Sequence, residues 1–187
     1  MKGKKKGPWT LLSSTVGYRA PSFVVHADEV LSRTGKRITY SWIEMQEGVN
    51  IIPIDEKGNV YFAKEYRYGL GRECIEGVSG GIEKGDTPLA TAKKELKEEL
   101  GIAAKKWTAL GAYDSVTSKM RHREHLYLAE GLTFGAQDLE EMEEIGMVKM
   151  PFSRAVKLAR SGGITYGFTA LGLHLAEVLM KAHTKKK

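Results

Sequence analysis

Three glutamates at helical spacing are the part of this sequence best suited to chemistry. Glu95, Glu98 and Glu99 stand at positions i, i+3 and i+4, so a helix projects them within one sector of its surface. Like charges at this spacing repel and raise one another's pKa unless a cation lies among them. Because carboxylate oxygens are hard ligands, the cluster predicts a site for Mg²⁺ or Mn²⁺.

The same segment has a plainer interpretation as a solvated acidic face. Most Glu-rich helices are acidic on one side and apolar on the other, and this helix has an apolar side made of Leu89, Ala92, Leu96 and Leu100. What favours a binding site is the glycine-rich loop that begins at Gly80 and leads into the helix.

The order of residues around the helix resembles the Nudix box, G-x5-E-x7-R-E-U-x-E-E-x-G-U, in which U is apolar. Seven of its nine fixed positions match, at Gly80, Glu95, Leu96, Glu98, Glu99, Gly101 and Ile102. Asp86 stands where Glu is usual, and it also fits a helix N-cap. Lys94 stands where Arg is usual, which keeps the charge but replaces a planar fork with a point charge.

A longer resemblance is to the ADP-ribose and nucleotide-sugar pyrophosphatase branch of Nudix hydrolases. Residues 65–76, together with the following Ser79 and Gly80, resemble one segment of that branch. That segment reads Q-Y-R, then a turn, then R-E and finally E-L-P-A-G. Residues 126–132 resemble its strand after the box, and the acidic segment 138–144 is a looser match. The similarities together cover roughly residues 49–175, and only the box is highly specific.

The resemblance implies a metal site within the box. Glu95 and Glu99 would be the principal ligands, and the backbone carbonyl of Ser79 would be a further one. Glu98 would act as a ligand, as a water-mediated contact or as a base. The cofactor implied is Mg²⁺, with Mn²⁺ as an alternative.

Two residues upstream of the box match positions that touch substrate in the branch. Arg67 would neutralise a diphosphate, for which a guanidinium fork has suitable geometry. Glu76 would contact the substrate or organise the site. The alternative is that Arg67 and Glu76 simply form an ion pair with each other.

The catalytic base has two candidates after the box. Glu124 is the only carboxylate between residues 115 and 126, whereas an ungapped alignment places His122 at the family's usual Glu position. Glu124 is slightly favoured. The alternative to a catalytic role for Glu124 is that of an outward-facing strand carboxylate paired with Arg121 or Arg123. If neither candidate is the base, Glu98 is the next residue to consider.

These residues imply hydrolysis of the diphosphate bond of a nucleoside diphosphate sugar to a nucleoside monophosphate and a sugar phosphate. ADP-ribose, ADP-glucose and GDP-mannose are all eligible, because residues 115–124 lack the Pro-Gly that many family members carry there. The alternatives are a Nudix hydrolase of a dinucleoside polyphosphate, coenzyme A or a damaged nucleotide, a non-catalytic nucleotide-binding domain, and an RNA-associated protein.

Charge and composition favour a compact cytoplasmic enzyme. The net charge is +6, but seven lysines lie at the two ends of the chain, and without them the body carries −1. We therefore expect no specific nucleic-acid partner. No run is apolar enough to span a membrane, no secretory signal follows the first lysines, and the single Cys74 suits a reducing compartment.

Turn signals divide the 187-residue chain into short strands and three helices. Strands are expected at 22–31, 37–45, 49–54, 60–63, 107–113 and 125–129, and helices at 88–100, 152–160 and 167–183. The predicted fold is α/β, a Nudix-type α/β/α sandwich with a mixed sheet and a small N-terminal antiparallel β unit.

The expected domains are a basic flexible tail (1–8), the N-terminal β unit (9–46), a Nudix hydrolase domain (47–183) and a basic tail (184–187). The N-terminal unit is too small to be reliably stable alone, so we expect it to contribute to a homodimer.

Overall fold

The computed structural model describes residues 3–139 and 141–184, but not the side chains of residues 183 and 184. Lys2 and residues 185–187, parts of the expected tails, lie outside this description. The strands are β1 (Lys4–Lys6), β2 (Trp9–Arg19), β3 (Phe23–Leu31), β4 (Arg37–Met45), β5 (Gly48–Ile54), β6 (Asn59–Arg67), β7 (Arg72–Glu76), β8 (Val78–Gly81), β9 (Ile102–Asp114), β10 (Met120–Arg121), β11 (Arg123–Phe134) and β12 (Gly146–Pro151). The helices are α1 (Pro88–Leu100), α2 (Phe152–Arg160) and α3 (Gly167–Thr184).

The chain divides into two compact units. The described part of the first, the N-terminal unit, comprises residues 3–47 and 114–123. The described part of the second, the box unit, comprises residues 48–113 and 124–184. The N-terminal unit therefore includes a later stretch of chain that its expected boundaries, 9–46, left out.

The N-terminal unit is a five-stranded sheet in the order β1-β2-β3-β4-β10. Its strands are antiparallel except for β10, which runs parallel to β4. The predicted hairpin between β3 and β4 is confirmed, and Gly35 in its turn has φ +83°, a conformation that glycine adopts without strain. Residues 4–6, expected within a flexible tail, instead form β1, because β2 supplies backbone partners and Asp28 forms an ion pair with Lys6 at 3.6 Å.

The box unit is a seven-stranded mixed sheet in which β5 is central. The main order is β12-β6-β5-β11-β9, while β7 pairs with β6 and β8 pairs with β5. Every residue of β5 is buried, and alternate side chains face opposite layers. Val49 and Ile51 pack with α1, whereas Ile52 and Ile54 pack with α2 and α3. The predicted α/β/α sandwich is therefore confirmed.

The predicted helices agree closely with the structure, since α1 and α2 have the expected bounds and α3 ends one residue later. The strands at 22–31, 37–45 and 49–54 are also confirmed within one residue of each end. Strands β7, β8 and β10 were not expected, because their residues lack a sustained alternation of apolar and polar side chains. Among the residues described, no helix has the length and apolar character needed to cross a membrane.

Candidate active site

Helix α1, which carries the three box glutamates, has well-defined ends. The Thr87 side chain accepts a hydrogen bond from the backbone N–H of Ala90 at 3.2 Å, and Pro88 occupies the first turn. The N-cap is thus Thr87, and the expectation that Asp86 fills this position is wrong. At the other end, Gly101 adopts φ +64°, and its N–H bonds to carbonyls of the last turn.

The two outer box glutamates meet strand β8, which comes before the loop that leads into α1. A methyl group at Gly80 would overlap the carboxyl group of Glu95, so a larger residue there would force the Glu95 side chain to move. Glu99 is 7% exposed, and the backbone N–H of Ser79 donates a hydrogen bond to it. Glu98 is half-buried on the same helix. The structure therefore brings Ser79, Glu95 and Glu99 together.

Burial, together with the negative charge of Glu95, raises the pKa of Glu99 to about 9. The Ser79 N–H and the charge of Arg67 oppose this effect. Two carboxylates held this closely, one of them buried, favour a bound cation. In the described part of the chain, no three His, Cys, Asp or Glu side chains are grouped closely enough to enclose a metal. Oxygen donors from Glu95, Glu99 and the Ser79 backbone nevertheless suit Mg²⁺ or Mn²⁺.

A fourth carboxylate near this cluster was not singled out from the sequence. The charge of Glu143 also raises the pKa of Glu99, so the acidic segment after β11 extends to the box helix. The segment is attached there, because the Asp138 N–H donates to the Glu98 carbonyl at 2.9 Å and the Gln137 amide donates to the Glu99 carbonyl. The run of acidic residues at 138–144 was the available signal, but spacing could not show which one faces Glu99.

Lys94 replaces the usual arginine of the box and makes a long contact with one of the variable positions within the box. Its Nζ lies 3.4 Å from Glu83 of the preceding loop. The hydrogen bond to Glu83 and the charge of Glu98 both raise the pKa of Lys94. This cation therefore connects the loop to α1, and its exposure limits the strength of that connection.

Arg67 and Glu76 form the ion pair that was weighed as the alternative to substrate contact. Arg67 Nη2 lies 2.7 Å from Glu76 Oε2, and Nη1 lies 2.7 Å from Glu65 Oε2. Burial lowers the pKa of Arg67, but the hydrogen bond to Glu76 and the charges of Glu76, Glu65 and Glu99 raise it. The guanidinium therefore lies close enough to the box for the charge of Glu99 to raise its pKa.

Glu124 is buried at the start of β11. It is 3% exposed, and its Oε1 accepts a hydrogen bond of 3.0 Å from the hydroxyl of Tyr166. Burial raises the pKa of Glu124 to about 7, and the hydrogen bond from Tyr166 opposes that rise. The alternative interpretation, an outward-facing carboxylate paired with Arg121 or Arg123, is therefore wrong. Arg121 pairs with Glu44, and Arg123 pairs with Asp114 at 3.0 Å.

His122, the other candidate base, belongs to the N-terminal unit. Its Nδ1 lies 3.2 Å from the Ser115 hydroxyl. Burial lowers the pKa of His122, and the charge of Glu47 opposes this. The imidazole is thus biased toward its neutral form.

Comparison with known proteins gives a consistent result. A sequence model of the NUDIX domain matches residues 44–165. The chain is 26% identical over 156 residues to an ADP-ribose pyrophosphatase of Bacillus subtilis (strain 168), covering 82% of this chain and 84% of that protein. It is 27% identical over 165 residues to an ADP-ribose pyrophosphatase of Mycobacterium tuberculosis, covering 87% and 80%. A solved structure of an ADP compounds hydrolase has the same fold, with a TM-score of 0.85 at 22% identity over 96% of this chain and 98% of that one.

Proposed function

Since this chain belongs to the Nudix family and is a Nudix hydrolase, we propose that it cleaves the diphosphate bond of nucleoside diphosphate sugars in a divalent-metal-dependent reaction. The products are a nucleoside monophosphate and a sugar phosphate. The observation that carries the proposal is the pairing of buried Glu99 with Glu95 beside Ser79 and Gly80, a cluster of negative charge that a cation would neutralise.

We assign the metal to Glu95, Glu99 and the backbone carbonyl of Ser79, with Glu98 as a further ligand or a water contact. When bound there, a divalent cation would neutralise the charge of the diphosphate oxygens and lower the pKa of bound water. Asp86 and Lys94, the two departures from the box motif, are not among these proposed ligands.

Substrate binding is assigned to Arg67 and Glu76. The Arg67 guanidinium, already oriented by Glu76 and Glu65, presents a planar donor array to a diphosphate. On substrate binding, a phosphate oxygen would compete with these carboxylates for the guanidinium donors. Glu76 would then be available to accept a hydroxyl of the substrate.

Glu124 is proposed as the base. Its raised pKa of about 7 suits proton acceptance near neutral pH, because a base works best when its pKa is close to the working pH. The water oxygen bonds to one phosphorus, the bridging P–O bond breaks toward the leaving phosphate, and the water proton passes to Glu124. His122 and Glu98 are the alternatives.

ADP-ribose is the proposed preferred substrate, since two relatives that align over most of this chain are ADP-ribose pyrophosphatases. Hydrolysis should be measured by chromatographic separation of the products formed from ADP-ribose, ADP-glucose, GDP-mannose, a dinucleoside polyphosphate, coenzyme A and capped RNA, each with and without Mg²⁺. Metal-dependent formation of the nucleoside monophosphate and ribose phosphate from ADP-ribose, faster than hydrolysis of all the others, supports the proposal. Hydrolysis of another nucleotide alone, or of none, would overturn it.

We also propose that the protein is a cytoplasmic homodimer. Val16 and Tyr18 of β2 expose large apolar side chains in the N-terminal unit, and burying such groups against a second copy is favourable. Light scattering at micromolar concentration should give the mass of two chains. A monomer mass at every concentration would disprove the dimer.

A further inference from the structure

The Glu124 carboxyl group is enclosed by two residues that the assigned site does not include. Tyr166, just before α3, donates its hydroxyl hydrogen to Glu124 Oε1 at 3.0 Å. Gly48 of β5 lies beside Oε2, where a methyl group would overlap the carboxyl oxygen. Gly48 and Glu124 are also register partners in the parallel pairing of β5 with β11. Both the rotation and the position of the carboxyl group are therefore constrained.

Tyr166 stands on a segment that is fixed to the centre of the sheet. The Thr169 hydroxyl accepts hydrogen bonds from the Gly77 N–H at 2.9 Å and from the Asn50 amide at 3.2 Å, and both Thr169 and Asn50 are fully buried. The Tyr166 carbonyl accepts the N–H of Ala170 at 3.1 Å, and its ring meets Phe168 edge-on at 5.7 Å. A hydroxyl carried on a rigid element can hold its partner in one orientation.

The tyrosine also lies close to the proposed substrate-binding pair. Burial raises the pKa of Tyr166, the charges of Glu124 and Glu76 raise it further, and the charge of Arg67 lowers it. Its phenol therefore remains a hydrogen-bond donor at neutral pH. Through Tyr166, Glu124 is connected to the region where Arg67 and Glu76 would hold the diphosphate.

We propose that Tyr166 is a positioning residue for hydrolysis, holding the Glu124 carboxylate in the orientation in which it accepts the proton of the attacking water, while Gly48 keeps the space that this orientation needs. The proposal rests on the proposed function. It adds two residues, far apart in sequence from the box and from each other, whose effect on the reaction passes through Glu124.

The test compares Tyr166→Phe with Tyr61→Phe. Tyr61 is a matched control, because its hydroxyl also donates to a carboxylate, Asp55, at 2.9 Å but stands apart from the proposed machinery. With ADP-ribose and Mg²⁺, Tyr166→Phe should lower kcat roughly ten- to a hundredfold, the loss expected for one hydrogen bond to a charged group, with little change in KM. Tyr61→Phe should leave kcat unchanged.

The pH profile separates positioning from simple support of the fold. Because the hydrogen bond from Tyr166 lowers the pKa of Glu124, its removal should move the acidic limb of kcat to higher pH. Gly48→Ala should also shift the acidic limb of kcat, because its methyl group would displace Oε2 of the Glu124 carboxyl group. It also serves as the second probe if Tyr166→Phe does not fold.

Carboxyl ¹³C NMR of glutamate-labelled protein provides a readout independent of turnover, and Tyr166→Phe should raise the titration midpoint of Glu124. An active wild-type enzyme whose kcat and pH profile are unchanged in Tyr166→Phe and Gly48→Ala would overturn this inference alone. A wild-type protein that cleaves no nucleoside diphosphate sugar would overturn the proposed function and this inference with it. A loss of stability with unchanged kcat would likewise refute the positioning role.

Discussion

Replacing Glu124 with glutamine should change how the stability of the protein depends on pH. Burial raises the pKa of Glu124 from 4.5 to about 7 in the folded chain. A carboxyl group that ionises less readily when folded contributes its full stability below pH 4.5 and loses it as the pH rises through about 7. Glutamine has nearly the same shape and stays neutral, so the variant should not lose this stability.

The magnitude follows from the two pKa values. Each pH unit between them is worth about 1.36 kcal/mol, so the full cost of ionising Glu124 in the folded state is about 3 kcal/mol. Between pH 5 and pH 8, the free energy of unfolding of Glu124→Gln should gain about 2.5 kcal/mol relative to wild type. Because Glu124 is almost completely buried, solvent screening reduces this value little.

Urea unfolding of both proteins at pH 5, 6, 7 and 8, with a chelator present, measures this difference directly. Glu130→Gln is a suitable control, since Glu130 lies on the same strand but pairs with Lys106 at a more exposed position. A difference between Glu124→Gln and wild type that stays constant within about 0.5 kcal/mol over this range would refute the reasoning. It would mean that the carboxyl group is solvated in the folded protein.

Three further predictions concern the metal site and the charged ends of the chain. Glu99→Gln should lower Mg²⁺-dependent turnover by about a hundredfold or more with the fold intact by circular dichroism, and near-wild-type rates at saturating Mg²⁺ would remove Glu99 from the site. Gly80→Ala should weaken Mg²⁺ binding in calorimetry, because the added methyl group displaces the Glu95 carboxyl group; unchanged affinity would contradict this role for glycine. Neutralising Lys2, Lys4 and Lys5 and removing residues 185–187 should change turnover less than a few-fold, because exposed charges are screened beyond about 8–10 Å; lost hydrolysis with intact folding would show that the tails take part.

The secondary structure was predictable wherever the local pattern is strong. Helix α1 has a cap, a proline in its first turn, an apolar face and a closing glycine, and its observed bounds match the prediction. Strand β2 was harder to predict, because its second half is exposed and shows no regular alternation of buried and exposed residues, so its conformation depends on pairing with β3. The lysines of β1 show the same effect, since their sequence predicts a solvated tail, whereas the fold provides partners for them on β2 and at Asp28.

In the candidate site, too, some features could be predicted from the sequence and others could not. Glu95, Glu98 and Glu99 are brought to one side of α1 by helical geometry alone, so the sequence by itself determined the glutamate cluster and the Nudix assignment. The burial of Glu124, its hydrogen bond to Tyr166 across 42 positions and the approach of Glu143 to Glu99 were decided by the tertiary structure. The physical reason is that spacing fixes neighbours only within an element, whereas the packing of strands and helices determines which distant charges meet and how much water they retain.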